Sequence, residues 1–238
     1  MNNQKQKIAI FGASGSIGQA LCAHYQKQSD VYAFTRNDFD IDESGLVKIL
    51  LDDFNEGSVL QAANKFDNDF FDKIIVSIGI LHNEDFMPEK RIEEISSDQF
   101  LEIIRINTLV PTLIARSFYK KLKKNDKSTL AFLSARVGSI TDNRSGGWYS
   151  YRASKAALNM VIKNLSIELR RYNKELVVIG LHPGTVDSRL SQPFQKNLED
   201  SKIFSADFSV LKLSSVIDSL DIDDSGKCIA WDGEDILP

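Results

Sequence analysis

Lys7-Ile8-Ala9-Ile10-Phe11-Gly12-Ala13-Ser14-Gly15-Ser16-Ile17-Gly18 is the stretch on which the reading of this chain turns. A short apolar run halted by glycine has the pattern of a buried strand. The residues that follow, Gln19-Ala20-Leu21-Cys22-Ala23-His24-Tyr25, have helical spacing. Strand, glycine-rich turn and helix in that order suit a dinucleotide pyrophosphate. Gly12, Gly15 and Gly18 let the backbone approach the phosphates, with Ser14, Ser16 and Ile17 between them. The helix N-terminus adds free N–H groups and the positive end of its dipole. The competing reading is a tight turn with a close helix crossing and no ligand. His24 reads as an ordinary helix residue, and no metal site is expected because no second ligand type stands at metal spacing.

Outward from this turn, apolar strands alternate with helical patterns. The second strand is Val31–Thr35. An acidic residue at its end would hold the ribose 2′-hydroxyl of NAD, but the chain has Thr35-Arg36 there. A guanidinium at that place suits a 2′-phosphate, so NADP(H) is favoured over NAD(H). The other reading of Arg36 is a solvated surface side chain. The third strand is placed at Val47–Leu51, ending in Asp52, with Phe39–Ile41 as the competing choice and a helix from about Glu56 to Lys65. Lys73–Ile78 is the fourth strand, with Ser77 near its end and Gly79 after it, where a cofactor could pass close to the backbone. Ser96-Ser97 opens a long helix running toward Lys123. It carries Asn107 among apolar neighbours, either as a structural bracket or in a proton path, and Pro111 is expected to kink or adjust the helix just beyond that Asn. Thr129–Ser134 is the fifth strand, and a helix over 149–172 follows with Ala156, Leu158, Val161, Leu165 and Leu169 as its apolar stripe. Leu176–Leu181, a helix near 210–220 and Lys227–Trp231 complete the pattern. The expectation is an α/β chain: a Rossmann-type doubly wound parallel sheet in three layers, a single domain over 1–238.

Composition narrows the function. The 238 residues are 42% hydrophobic and 26% charged, ordinary for a globular chain, and the net charge of −4 gives no footprint for nucleic acid or an anionic membrane. Two cysteines, Cys22 and Cys228, do not make a disulfide framework. The N-terminal run is too short and polar for a signal peptide or membrane span, so a cytoplasmic location is expected.

One helical pair carries chemistry. In Trp148-Tyr149-Ser150-Tyr151-Arg152-Ala153-Ser154-Lys155, Tyr151 and Lys155 are four apart and share a helix face. A fixed ammonium beside a phenol favours the phenolate and draws its pKa down from ~10 toward neutrality. Tyr119 and Lys123 have the same spacing, within a run of lysines, so spacing alone does not choose. Position does. In an open parallel sheet ligands bind beyond the carboxyl ends of the strands, and Gly12–Gly18, Arg36, Gly79, Ser134 and Pro183-Gly184 all lie at such ends. The helix beginning near Tyr151 comes to the same edge, so Tyr119–Lys123 is assigned to the surface.

This order of motifs resembles the short-chain dehydrogenase/reductase family over nearly the whole chain. Ser134-Ala135-Arg136-Val137-Gly138-Ser139-Ile140, with the stretch through Lys155, is most similar to its carbonyl-reductase-like branch, which includes the C-factor and sniffer proteins. The resemblance implies Tyr151 as general acid in reduction and base in oxidation, with Lys155 tuning it and holding the nicotinamide ribose. It implies Asn107 steadying a water relay, Pro183, Gly184, Val186 and Ser188 near the nicotinamide, and Asp52 near the adenine. Residues 186–210 would be the substrate loop, with Leu190, Pro193 and Phe194 as apolar contacts. A homodimer or homotetramer would form through the helices at 97–124 and 149–172. Some positions depart from the family pattern. Phe11 replaces a threonine, Gly12, Gly15 and Gly18 are evenly spaced, and Val76-Ser77-Ile78-Gly79 replaces a pair of asparagines before Ala-Gly. The catalytic serine is expected at Ala135, leaving Ser134, with Ser139 close behind, to supply the hydroxyl.

The leading expectation is an NADP(H)-dependent oxidoreductase acting on a small-molecule carbonyl or secondary alcohol. The alternative is an NADP(H)-binding regulatory or signalling protein with little catalytic activity, supported by the displaced serine.

Overall fold

Strand β1 (Gln6–Phe11) shows how the sequence builds the layers. Side chains alternate across a strand. Ile8 and Ile10 enter one buried cluster, while Ala9 and Phe11 enter another on the opposite face. The same alternation runs through β2 (Ser29–Thr35), β4 (Lys73–Val76), β5 (Ser128–Leu133) and β6 (Leu176–His182). With β3 (Leu46–Leu50) and β9 (Cys228–Ala230), these strands form one seven-stranded sheet in the order β3-β2-β1-β4-β5-β6-β9. Every pairing in it is parallel. The computed structural model describes residues 5–42, 44–197 and 199–238.

Helices α1 (Ser16–Tyr25) and α6 (Ala206–Ser219) cover the first face through Leu21, Val210, Leu213 and Ile217. Helices α2 (Glu56–Ala63), α4 (Val110–Phe118) and α5 (Tyr149–Leu169) cover the second through Val59, Ile114, Phe118, Leu158 and Ile162. Strand order reverses between β1, which leads outward to β2 and β3, and β4, which starts the other half. A crevice opens at that switch point, beyond the carboxyl ends of the strands.

The departure at Phe11 has a structural reason. Its ring stacks on Phe34 with centroids 4.2 Å apart and meets Phe118 edge-on at 4.9 Å. Each such pair adds about 0.5–1.5 kcal/mol beyond area burial. The Phe34 carbonyl in turn accepts from Gly12 N and Ala13 N at 3.0 and 3.1 Å. The glycine turn is therefore seated on an aromatic floor.

The third strand is Leu46–Leu50, one residue earlier than the preferred placement, and the competing 39–41 is irregular. The helix opening at Ser97 is adjusted beside Pro111. Helix α3 (Ser97–Ile104) passes into a π-helical turn, Arg105–Leu109, and resumes as α4. Pro111 has no N–H for the Asn107 carbonyl four residues back, and the wider turn absorbs that missing bond. Other expectations are corrected. On α5 the buried stripe passes through Ile162 rather than Val161, because Ser154 and Lys155 at its start are themselves buried. The stretch from Val186 to about Ser205, which the sequence reads as irregular, carries part of a short strand pair. Strands β7 (Thr185–Val186) and β8 (Ile203–Phe204) pair in parallel, and α6 begins at Ala206; residue 198 lies outside the described residues.

Candidate active site

The glycine turn demands glycine at two positions. Gly12 has φ +82°, and a Cβ on Gly18 would lie 2.1 Å from the Gly12 carbonyl oxygen. Any side chain at Gly18 would push α1 off the turn. Ser77 Oγ donates to the Phe11 carbonyl at 2.8 Å, tying β4 to the same turn.

Two clefts open above it. One, of about 610 Å³, is lined by Ser14–Gln19, Asn37, Asp38, Phe39, Ser77, Gly79 and Ser188–Leu190. The other, of about 430 Å³, is lined by Tyr151, Lys155, Ser134, Ala135, Trp148, Pro183, Gly184 and Val186, with Leu81, Leu190 and Phe194 among its apolar walls. They share Ile17, Ser77, Gly79, Ser188 and Leu190, so they form one trough across the sheet edge. A long dinucleotide fits this shape: a side-chain-free turn with a helix N-terminus at one end, an apolar pocket with a titratable pair at the other.

The sequence-expected residues mostly converge here. Of the cofactor set, Gly12, Thr35, Arg36 and Asp52 do not line either cleft, whereas Asn37, Asp38 and Phe39 do. Thr35 is fully buried and its hydroxyl donates to the Asn37 carbonyl at 2.7 Å. Arg36 is exposed, and among the described residues it makes no ion pair. Asp52 is also exposed. Asp38 faces the cleft but is paired with Lys48 at 3.0 Å, which holds its carboxyl below the usual carboxylate range.

Asn107 is wholly buried in the π-turn. Its Oδ1 accepts from Ile80 N at 2.7 Å, and its Nδ2 donates to the Ile80 carbonyl at 2.8 Å and to Ser154 Oγ at 2.9 Å. Ser154 Oγ donates onward to the Tyr151 carbonyl at 2.7 Å, and Thr108 Oγ1 donates to the Ser154 carbonyl at 2.8 Å. The π-turn is thus bolted to α5 between Tyr151 and Lys155. Asn107 is a bracket that also fixes the chain leaving β4.

Lys155 Nζ donates to the Leu133 carbonyl at 2.8 Å and lies 5.8 Å from the centre of the Tyr151 ring. Burial lowers Lys155 to about 8. Burial also pushes Tyr151 up to about 12, which corrects the expectation that Lys155 draws the phenol down. The reason is desolvation: it disfavours the phenolate, and the amine, desolvated too, carries less than a full charge near pH 8.

The serines divide. Ser134 lines the pocket, is buried, and donates to Asn159 Oδ1 at 2.6 Å. Ser139 is also buried but accepts from Asp142 N at 3.0 Å and does not line the pocket. Ala135 packs in one small apolar cluster with Tyr151 and Leu81. His182, at the end of β6, also lines the pocket; burial first, then the charge of Arg136, lowers it to about 4. His82 Nε2 lies 3.1 and 3.2 Å from the carbonyls of Arg189 and Leu190, and the Nε2–H tautomer donates to both, latching the 189–190 segment. Glu89, unmarked by any sequence motif, is buried at the start of α5. Among the described residues no group of three metal-ligating side chains comes together, and no helix is long and apolar enough to cross a membrane.

The short chain dehydrogenase pattern matches residues 6–199. The chain belongs to the short-chain dehydrogenase family. It is accordingly an NAD(P)-dependent dehydrogenase/reductase. C-signal of Myxococcus xanthus is 33% identical over 131 residues, 55% of this chain and 74% of that protein. Two further curated relatives are matched over 55% and 50% of their own length. The NADPH-bound carbonyl reductase from chicken fatty liver superposes with a TM-score of 0.83 at 23% identity, covering 99% of this chain and 100% of that one. Carbonyl reductase Sniffer of D. melanogaster gives 0.82 at 20% identity, covering 99% and 100%. Both superpositions show the fold alone.

Proposed function

We propose that the protein is an NADP(H)-dependent carbonyl reductase in which Tyr151 transfers the proton. The observation that carries this reading is the convergence of Tyr151 and Lys155 at the floor of an apolar pocket continuous with the glycine turn. When bound, the nicotinamide supplies or accepts the hydride. In reduction, the Tyr151 hydroxyl donates its proton to the carbonyl oxygen as the alkoxide develops; in oxidation, the phenolate takes it back. Burial keeps the phenol protonated but makes it a weaker acid than a free tyrosine, so its proton passes only to an oxygen more basic still, as a developing alkoxide is. Lys155 is placed to replace that proton, and Asn107 fixes the backbone on which both depend. Ser134, once turned from Asn159, can donate to the same substrate oxygen. Pro183, Gly184, Val186 and Ser188 shape the nicotinamide side of the trough, and Leu81, Trp148, Leu190 and Phe194 give an uncharged wall for the substrate.

Preference for NADP(H) is supported by Arg36, exposed beside the cleft, and by Lys48 offsetting the nearest acid, Asp38. The bound dinucleotide of the chicken enzyme is NADPH. The test is to titrate purified protein with NADPH and NADH and follow cofactor oxidation against a panel of ketones and aldehydes. Turnover is expected with NADPH, and Arg36→Ala should raise its KM about tenfold while moving the NADH value about twofold or less. Equal effects on both cofactors overturn the 2′-phosphate assignment. Ala135 and the Ser134–Asn159 bond favour a second reading, a nucleotide-binding regulator; NADPH binding without turnover on any carbonyl would select it. Exposed Leu101, Leu109, Met160 and Ile167 on α3, the π-turn and α5 support pairing of two copies, which sedimentation tests.

A further inference from the structure

Helix α5 starts in an unusual way. Its N-cap residue, Trp148, sits in left-handed backbone at φ 51°, ψ 44° and gives no side-chain cap. Gly146 and Gly147 before it are left-handed too, at φ 62° and 63°. Glycine adopts that conformation freely, but a tryptophan does not. The first N–H groups of a helix also need acceptors from outside.

A distant residue meets both needs. The backbone carbonyl of Glu89 accepts from Trp148 N at 2.5 Å. Its carboxylate accepts from Ser150 N at 3.2 Å and from Ser150 Oγ. Glu89 is 1% exposed and Ser150 is 0% exposed, so neither contact is shared with solvent. A carboxylate buried this deeply is costly unless its oxygens are satisfied, and the helix N-terminus is where a negative charge is favoured. Arg152 Nε donates to the Gly147 carbonyl at 3.1 Å, and Gly146 N donates to Asn143 Oδ1 at 3.0 Å, holding the turn from the other side. The strand of chain bearing Glu89 is itself fixed, since Gln99 Nε2 of α3 donates to the Met87 carbonyl at 3.0 Å.

We propose that Glu89 is a positioning residue for the catalytic tyrosine: it locks Trp148 and the first turn of α5 so that the indole walls Tyr151. Locked in this way, Trp148 meets the Tyr151 ring edge-on at 6.1 Å and Phe194 of the substrate loop at 5.0 Å. Without the carboxylate, the Trp148 N–H still has the residue-89 backbone carbonyl, but Ser150 loses its anchor; the first turn of α5 would then loosen and carry the indole away from both rings. The proposal rests on Tyr151 as the proton donor, but the lock itself can be read without turnover.

The chain has two tryptophans, so Trp231→Phe leaves Trp148 as the sole indole reporter. In that background Glu89→Ala is expected to lower kcat about tenfold, shift Trp148 emission, and leave NADPH affinity within about twofold. Glu89→Gln keeps an acceptor for Ser150 and should recover most of both signals. Adding Ser150→Ala to Glu89→Ala should slow the enzyme no further, because the two act through one contact. Unchanged kcat and emission in a folded Glu89→Ala protein overturn the proposal, as does a loss of NADPH binding in step with kcat. Should Glu89→Ala not fold, Ser150→Ala decides: unaltered emission and rate overturn it, a shift in both supports it. If Tyr151→Phe proved fully active, the reductase reading would fail while an emission shift in Glu89→Ala would still demonstrate the lock.

Discussion

Tyr119–Lys123 and Tyr151–Lys155 have the same spacing and opposite fates. Tyr151 and Lys155 lie on one unbroken helix, both buried and both lining the pocket. At Tyr119 the α-helix has ended at Phe118, and a 3-10 turn over Tyr119–Lys121 gives way to extended backbone at Leu122. The two side chains then part. Tyr119 packs edge-on against Tyr172 with centroids 5.4 Å apart, and Lys123 pairs with Asp72 at 2.6 Å. A four-residue interval is a shared face only while the helix continues, and it is a site only where that face meets a cleft.

The largest test of this contrast is Tyr151→Phe. It should lower kcat by about 100-fold or more with NADPH affinity little changed, whereas Tyr119→Phe should leave kcat within about twofold. Comparable losses at both positions would end the distinction.

Next in size is a stability effect of Lys155. Its folded pKa of about 8 lies below the ordinary 10.5. Between those values the unfolded chain binds the extra proton, so stability rises with pH, by up to about 2–3 kcal/mol by pH 10. The buried thiols oppose this above pH 9, because burial raises Cys22 to about 12 and Cys228 to about 11. The difference between wild type and Lys155→Met, by urea unfolding without cofactor, removes their share. That difference should grow from pH 8 to 10; a flat difference would show that Lys155 keeps its ordinary proton affinity in the folded chain.

A smaller effect is expected from Ala135→Ser, which places a hydroxyl in the pocket beside Tyr151. A gain of about tenfold in kcat would show that the native site lacks a donor; no gain would show that Ser134 already serves. Smallest is Lys123→Ala. Breaking its partly buried pair with Asp72 should cost about 1 kcal/mol or somewhat more in urea unfolding and leave kcat unchanged.

Local patterns in the sequence carried most of the sheet and the glycine turn, because strand alternation and the Gly12–Gly18 turn are properties of neighbouring residues. Tyr151 and Lys155 were legible for the same reason. The missing parts depend on long-range placement. The sign of the Tyr151 shift required knowing that burial outweighs a nearby amine that is itself desolvated. The cleft by β2 is lined by Asn37–Phe39 because Thr35 turns inward and bonds the Asn37 carbonyl. Glu89 lies 61 positions from Ser150, and nothing near it in the chain announces the contact. The π-turn did leave a trace: Gln99, Ile103, Asn107, Pro111 and Ala115 are buried at steps of four, and an ordinary helix of 3.6 residues per turn would drift off that line.

That extra residue in the Arg105–Leu109 turn makes the chain sensitive to length rather than to composition. Removing one solvent-facing position such as Leu109 would let the coil tighten to regular pitch, rotating Asn107 relative to Ile114 and Phe118 by about a quarter turn. Each remaining side chain would be unchanged, yet the bolt into Ser154 and the greasy seat beneath the nucleotide turn could no longer be satisfied together. A one-codon deletion there should therefore harm the enzyme more than most substitutions along the same helix.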